Sequence, residues 1–130
     1  MSDPAEQTLA LARSAAEAVR SLNHATLSGT GLAQPADAYT LLGELALAAA
    51  GLPQLLAQVG RWLTTTLGAG RLGCDDGTDP AAAVSGAWLF ISDARAGAAA
   101  LARNLEHAQQ QIAAVNGGPH TAEETEGAFL

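Results

Sequence analysis

The sequence predicts an all-α protein: an elongated, coiled-coil-like bundle of about four helices with a long C-terminal helix as its spine. Hydrophobic residues make up 48% of the chain but aromatic residues only 4%, because much of the apolar content is alanine, the strongest helix former. β-Branched residues are too scattered to indicate strands. Apolar residues also recur at steps of three and four along one stripe, as on one face of a long helix. The stripe consists of Val84, Ala87, Ile91, Ala94, Ala98, Leu101, Leu105, Ala108, Ile112 and Val115.

The first predicted helix begins at an Asp-Pro pair. Asp3 suits the capping position, Pro4 the first turn, and Glu6 the position that completes a capping box. We expect the helix to end after His24, because residues 28–31 read Ser-Gly-Thr-Gly. Its stripe is Ala5, Leu9, Ala12, Ala16, Val19 and Asn23.

Two shorter helices are expected next, one over residues 35–50 and one beginning at Pro53. Gly51 is typical of the residue after a helix, and Pro53 of the first turn of another. The pattern leaves open whether the two form a tight hairpin or a bent pair. The apolar face of the second helix is Tyr39, Leu42, Leu45, Ala46 and Ala49. That of the third is Leu55, Leu56, Val59, Trp62, Leu63 and Leu67.

The fourth helix follows a loop rich in glycine and aspartate at residues 68–79 and begins at Asp79-Pro80. It is expected to reach Val115, a length of about 54 Å at 1.5 Å per residue. Its second half keeps only the stripe, so the first helix is the natural partner there. We expect one domain over residues 1–116, followed by an acidic, disordered tail at residues 117–130.

The charge excludes some partner classes. Thirteen acidic residues against six arginines give a net charge of −7, which disfavours nucleic acids and anionic membranes. Residues 1–6 are acidic where a signal peptide is basic, and Glu44 and Pro53 interrupt the apolar run from Leu41 to Val59. The single cysteine, Cys74, fits a reducing compartment. We therefore expect a cytoplasmic protein with no membrane partner.

Candidate chemistry in the sequence is sparse. Asp75 and Asp76 are adjacent and no glutamate stands at the twelfth position, so residues 73–79 do not match a calcium loop. Glu106 and His107 are neighbours that point about 100° apart on a helix, so they cannot chelate one ion together. We expect no metal, no cofactor and no catalytic residue.

Two groups could still confer specificity. Asn23 lies on the first helical stripe, where a buried amide can determine which helix pairs with it, and His24 follows it. His24 could act as a base or ligand, but a histidine near a helix C-terminus is also favoured by the helix dipole. Trp62, Trp88 and Phe90 could form an apolar pocket, although aromatic residues on a helical stripe are more often part of the core.

Three segments resemble small alanine-rich helical proteins of actinobacteria: residues 18–26, residues 39–63 with their Leu-Gly-Glu-Leu-Ala centre, and Asp75-Asp76-Gly77. Members of that group are uncharacterised. The resemblance spans most of residues 18–115 and implies an actinobacterial source and a shared helical fold. It implies no catalytic residue.

These observations favour a non-catalytic interaction or assembly module. It would associate with itself, with another helical protein, or with both, through the stripe of its long helix. The alternative is a small-ligand or regulatory bundle that binds in the apolar pocket. An enzyme is the third hypothesis, because no nucleophile, base and orienting group can be assembled from the sequence.

Overall fold

The computed structural model describes residues 3–119 and contains three α-helices in that range: α1 (Pro4–Leu27), α2 (Pro35–Gly68) and α3 (Pro80–Gln111). The all-α prediction is confirmed. The described residues divide into two compact units, one formed by those up to Asp37 and from Asn116, and the other spanning Ala38–Val115. A single domain over residues 1–116 stays a prediction. Most of the predicted tail, from residue 120 on, lies outside the described residues.

Helix α1 begins as its sequence predicts. The Asp3 carboxylate accepts a hydrogen bond from the Glu6 N–H at 3.2 Å, and Pro4 occupies the first turn. The helix continues one turn beyond the expected end at His24, to Leu27. None of its residues is buried, so its predicted stripe is exposed throughout.

The prediction of four helices is wrong, because α2 replaces two of them. Residues 35–68 form one continuous helix, with Pro53 inside it, instead of two helices separated at Gly51. An interior proline costs about 3 kcal/mol, because it lacks an N–H and its ring crowds the carbonyl four residues earlier. Buried residues lie on both sides of Pro53, at Ala49 and Ala57 among others. Packing along the whole helix therefore outweighs the local signals that would end it.

Helix α3 also differs from the expected spine. The Asp79 carboxylate caps its start by accepting a hydrogen bond from the Ala81 N–H at 2.9 Å. The helix ends at Gln111, because the next N–H groups bond three residues back instead of four, as from Ile112 to Gln109. Helix α3 has 32 residues and α2 has 34, so the two helices are similar in length. The prediction of a long C-terminal helix as the spine is therefore wrong.

Helices α2 and α3 form an antiparallel hairpin. Near the connecting loop, the Trp88 indole N–H donates to the Thr64 hydroxyl at 2.8 Å. At the other end, the Gln109 amide donates to the Tyr39 carbonyl at 3.1 Å. The loop turns at two glycines with positive φ, Gly70 and Gly77.

The core of the described chain is small. Its buried hydrophobic residues are one valine and five alanines, and no side chain is less than 2% exposed. Alanine allows two helices to approach closely but buries little apolar area. The buried hydrophobic residues are Ala46, Ala49, Ala57, Val84, Ala98 and Ala102.

Candidate interaction face of the helical hairpin

The seam is the row of α3 residues that packs against α2. Its members are buried or half-buried, and they alternate at steps of four and three, as in a coiled coil. The row extends one residue past the helix end. The seam consists of Val84, Trp88, Ile91, Arg95, Ala98, Ala102, Leu105, Gln109 and Ile112.

The seam shares only half of the predicted stripe. Four of the other stripe residues lie one position before a seam residue, and the last, Val115, lies beyond the end of the seam. Apart from the half-buried Ala87 they are exposed; Leu101 is 48% exposed. The stripe residues in the seam are Val84, Ile91, Ala98, Leu105 and Ile112. Those beside it are Ala87, Ala94, Leu101, Ala108 and Val115. The distal half of α3 packs against α2 at Gln109, which bonds to the Tyr39 carbonyl, with Leu105 half-buried one turn earlier.

Polar residues in the seam explain this difference. The Arg95 Nε–H donates to the Pro53 carbonyl at 3.1 Å, and the Gln109 amide donates to the Tyr39 carbonyl. Both side chains lay their apolar stems between the helices while their polar ends reach a backbone acceptor. A pattern that counts only apolar residues places both positions on the outside and selects the preceding alanines, Ala94 and Ala108, in their place.

Trp88 is positioned by a glycine on α2. A Cβ atom at Gly60 would lie 2.5 Å from Trp88 Cζ2, so only glycine leaves room for the indole ring. The sequence signal for this contact is a small residue opposite a large one. That signal becomes visible only when the pairing of the two helices is known.

A second apolar row runs along α2, one position before the residues that face α3. Its steps also alternate between four and three, and it contains no polar residue. Four of its large side chains are exposed: Leu52 by 38%, Leu55 by 50%, Val59 by 45% and Trp62 by 57%. The row consists of Leu41, Leu45, Ala48, Leu52, Leu55, Val59 and Trp62.

The corresponding row on α3 lies on the same side of the hairpin. One position along a helix is a rotation of about 100°. Because the helices run in opposite directions, residues one position before the seam on each helix point to the same side. Between Ala83 and Ala108 only Asn104 is polar in this row. The α3 row is Ala83, Ala87, Phe90, Ala94, Gly97, Leu101, Asn104 and Ala108. Together the two rows are called the apolar face.

The opposite side of the hairpin is more polar than the apolar face. About half of the residues one position after the seam on the two helices are arginines, glutamines, serines, a threonine and a glutamate. The others are alanine and glycine, together with Leu47 and Leu89, each 70% exposed. The polar members are Gln54, Arg61, Thr64, Ser85, Ser92, Arg103, Glu106 and Gln110. The hairpin is thus amphipathic as a whole, in addition to the amphipathic pattern of each helix.

The three aromatic residues of the predicted pocket occupy different positions on the hairpin. Trp88 lies in the seam, whereas Trp62 and Phe90 project from the apolar face with 57% and 76% of their surface exposed. Two open cavities lie elsewhere on the hairpin. One of about 400 Å³ is lined by Tyr39, Gly43, Glu106 and Gln109, among others. The other, of about 300 Å³, lies beside the connecting loop and is lined by Leu63, Leu72, Cys74, Pro80 and Val84, among others.

The polar candidates of α1, Asn23 and His24, are both exposed. In this part of the helix the Thr26 hydroxyl donates to the Leu22 carbonyl at 2.7 Å. The Asn23 amide is exposed in this chain, so it is not the buried amide that the sequence suggested. A role for either residue in partner choice stays a prediction.

Two carboxyl groups have shifted pKa values, and both serve the fold. The N–H groups of Gln34 and Ala33 donate to Asp37 and lower its pKa, which completes the cap of α2. The Thr78 hydroxyl and N–H lower the pKa of Asp76 within the loop. Within residues 3–119, no three His, Cys, Asp or Glu side chains are close enough to hold a metal ion.

Helix α2 is also long and apolar enough to cross a membrane by length and composition. One 18-residue window has a mean hydropathy of 1.4, and 17% of it is buried. Core helices of soluble proteins share these properties, so the observation alone assigns no location.

Comparison with known proteins adds no assignment. No family model, curated protein or solved structure matches this chain. The resemblance to alanine-rich actinobacterial proteins therefore stays a prediction. The function has to be argued from the apolar face.

Proposed function

We propose that this protein is a non-catalytic helical assembly module that associates with itself through the apolar face of its α2–α3 hairpin. The observation that supports the proposal is the row of exposed large side chains at Leu52, Leu55, Val59 and Trp62, continued on α3 by Phe90 and Leu101. Contiguous apolar patches of several hundred Å² on soluble proteins mark interaction sites.

The size of the face is close to what a specific complex needs. From Leu41 to Trp62 a helix rises about 33 Å, and two helices packed side by side are about 20 Å wide. The face therefore covers about 600 Å², against about 800 Å² per partner in interfaces of standard size. The helix ends and the side chains that flank the two rows can supply the remaining area.

Light scattering on two matched variants tests the proposal. Leu55→Asp places a charge on the apolar face, whereas Leu47→Asp places the same charge on the same helix at a position that is 70% exposed on the other side. We expect wild type and Leu47→Asp to have a mass above 13.1 kDa at micromolar concentration, and Leu55→Asp to approach 13.1 kDa. A wild-type mass of 13.1 kDa at every concentration would overturn self-association.

The second candidate is a small-ligand binding protein. The cavity of about 300 Å³ beside the loop supports it, because its lining is mostly apolar and includes Leu63, Leu72 and Val84. Ligand pockets in proteins start at about this size. A screen of small apolar compounds by thermal shift tests it. Binding that Gly73→Trp abolishes, while the oligomer mass is unchanged, would favour this function, because Gly73 lines the cavity and lies outside the apolar face.

A further inference from the structure

We infer that two copies pair their apolar faces about a two-fold axis parallel to the helices, so that α2 of each copy lies against α3 of the other. The inference rests on the proposed function and specifies its partner and geometry. The product is a four-helix bundle in which every helix is antiparallel to both of its neighbours. The observations that carry it are the shapes of the two rows and their alignment.

The two rows of the apolar face have complementary shapes. The α2 row contains large residues at Leu52, Leu55, Val59 and Trp62, which form a ridge. The α3 row is mostly alanine and glycine and forms a shallow groove along the same face. A Cβ atom added at Gly97 would meet no atom within 4 Å, so the groove is open there in a single copy. A ridge of one copy can therefore enter the groove of another.

The contacts across the hairpin set the height of each residue along it. Trp88 contacts Gly60, Arg95 contacts Pro53, and Gln109 contacts Tyr39. At four heights these contacts place a large residue of one row level with a small residue of the other: Trp62 with Ala87, Leu55 with Ala94, Leu52 with Gly97, and Ala48 with Leu101. The exception is Val59, which lies level with the exposed Phe90.

A two-fold axis parallel to the helices brings these level residues into contact across the interface. The rotation keeps every residue at its height and exchanges α2 with α3 across the interface. Leu55 of one copy then meets Ala94 of the other, and Ala48 meets Leu101. Ridges enter grooves at these heights, and Val59 of one copy packs on the Phe90 ring of the other.

The other face-to-face arrangement has its axis across the helices, and it pairs less well. That rotation places α2 on α2 and α3 on α3. The large rows of the two copies then meet each other, and the alanine and glycine rows face across a gap. Close packing favours the parallel axis, because voids and overlaps both cost stability.

A matched pair of glycine variants tests contact at the groove. Gly97 lies on the apolar face, whereas Gly86 lies on the side of α3 away from α2, and an added Cβ meets nothing within 4 Å at either position. Changing either to glutamine adds the same bulk and the same gain in helix propensity. We expect Gly97→Gln to weaken dimerisation at least ten-fold and Gly86→Gln to leave it within two-fold. Equal dissociation constants for the two variants would overturn the inference.

The direction of the axis is tested at Cys74, the only cysteine in the chain, which is partly exposed in the α2–α3 loop. With the parallel axis both loops lie at the same end of the bundle, so spin labels on Cys74 should be within about 30 Å of each other. With the crossing axis the loops lie at opposite ends, about 50 Å apart for helices of this length.

The two readouts separate the inference from the proposed function. A dimer with a label distance of about 50 Å would overturn the parallel axis while leaving self-association intact. A monomeric wild type would overturn both, and would mean that another protein or another part of this chain covers the face. A dimer with a short label distance and a sensitive Gly97 supports both.

Discussion

Replacing Gly60 with alanine tests the packing of the hairpin at its tightest point. On the surface of a helix this change stabilises by about 1 kcal/mol, because glycine loses more backbone freedom on folding. At Gly60 the added Cβ would lie 2.5, 2.7 and 2.8 Å from three atoms of the Trp88 ring. The ring must move, and neither α2 nor α3 can shift without disturbing the alanine contacts on either side.

The cost of this movement exceeds the gain in propensity. Overpacking in a well-packed interface costs about 1–3 kcal/mol. Displacing the ring also breaks the 2.8 Å hydrogen bond from the Trp88 indole to Thr64. Such a bond contributes about 0.5–1.5 kcal/mol. We expect Gly60→Ala to lower the free energy of unfolding by about 1–3 kcal/mol after the propensity gain is subtracted.

Gly51→Ala is the matched control on the same helix. A Cβ at Gly51 meets nothing within 4 Å, so only the propensity gain applies, and we expect a stabilisation of about 1 kcal/mol. Urea unfolding followed by circular dichroism at one protein concentration measures both variants. If the two substitutions stabilised equally, Trp88 would not pack on Gly60, and the alignment of α2 with α3 would be wrong.

Three further predictions follow from the seam and the caps. Arg95→Met removes the donor to the Pro53 carbonyl, so it should lower the free energy of unfolding in urea by about 1–3 kcal/mol. The control is Arg103→Met at an exposed position, which should change that free energy by less than about 0.5 kcal/mol. Leu105→Ala should destabilise at every protein concentration, since Leu105 is half-buried in the seam, while the cost of truncating an apolar-face leucine should fall on dilution. The lowered pKa of Asp37 means that its capping contribution is complete above the unfolded value near 3.8 and is lost as the pH falls through the folded value. Carboxyl carbon chemical shifts should therefore show Asp37 titrating below 3.8, and a midpoint above 3.8 would contradict the cap.

Local signals in the sequence predicted helix starts well. Asp3 and Asp79 cap α1 and α3 as expected, because a cap depends on neighbouring backbone N–H groups. The Gly51–Pro53 signal was misleading because the continuation of a helix does not depend on neighbouring residues alone. Continuation of α2 through Pro53 depends on packing against α3 along residues that are distant in sequence.

The candidate site was only half predictable. The α3 stripe was placed by counting apolar residues, and it found every second seam residue. It departed from the seam at Arg95 and Gln109, which enter the seam to reach backbone carbonyls, and at Trp88 and Ala102, whose neighbours Ala87 and Leu101 are equally apolar. Four of the seven α2 row residues, Leu45, Leu55, Val59 and Trp62, were placed on apolar faces, but the row was not recognised as continuous because it was divided between two expected helices. Once α2 is one helix, the unbroken steps of four and three from Leu41 to Trp62 are visible in the sequence itself.

The exposure of Trp62 in solution tests the central claim most directly. Trp88→Phe leaves Trp62 as the only tryptophan, and its side chain is 57% exposed in a single copy. If the apolar face is covered by a second copy, acrylamide should quench Trp62 weakly at high protein concentration. Quenching should then rise several-fold on dilution, as the mass falls to 13.1 kDa. Strong quenching at every concentration, with a mass that never exceeds that of one chain, would contradict the account.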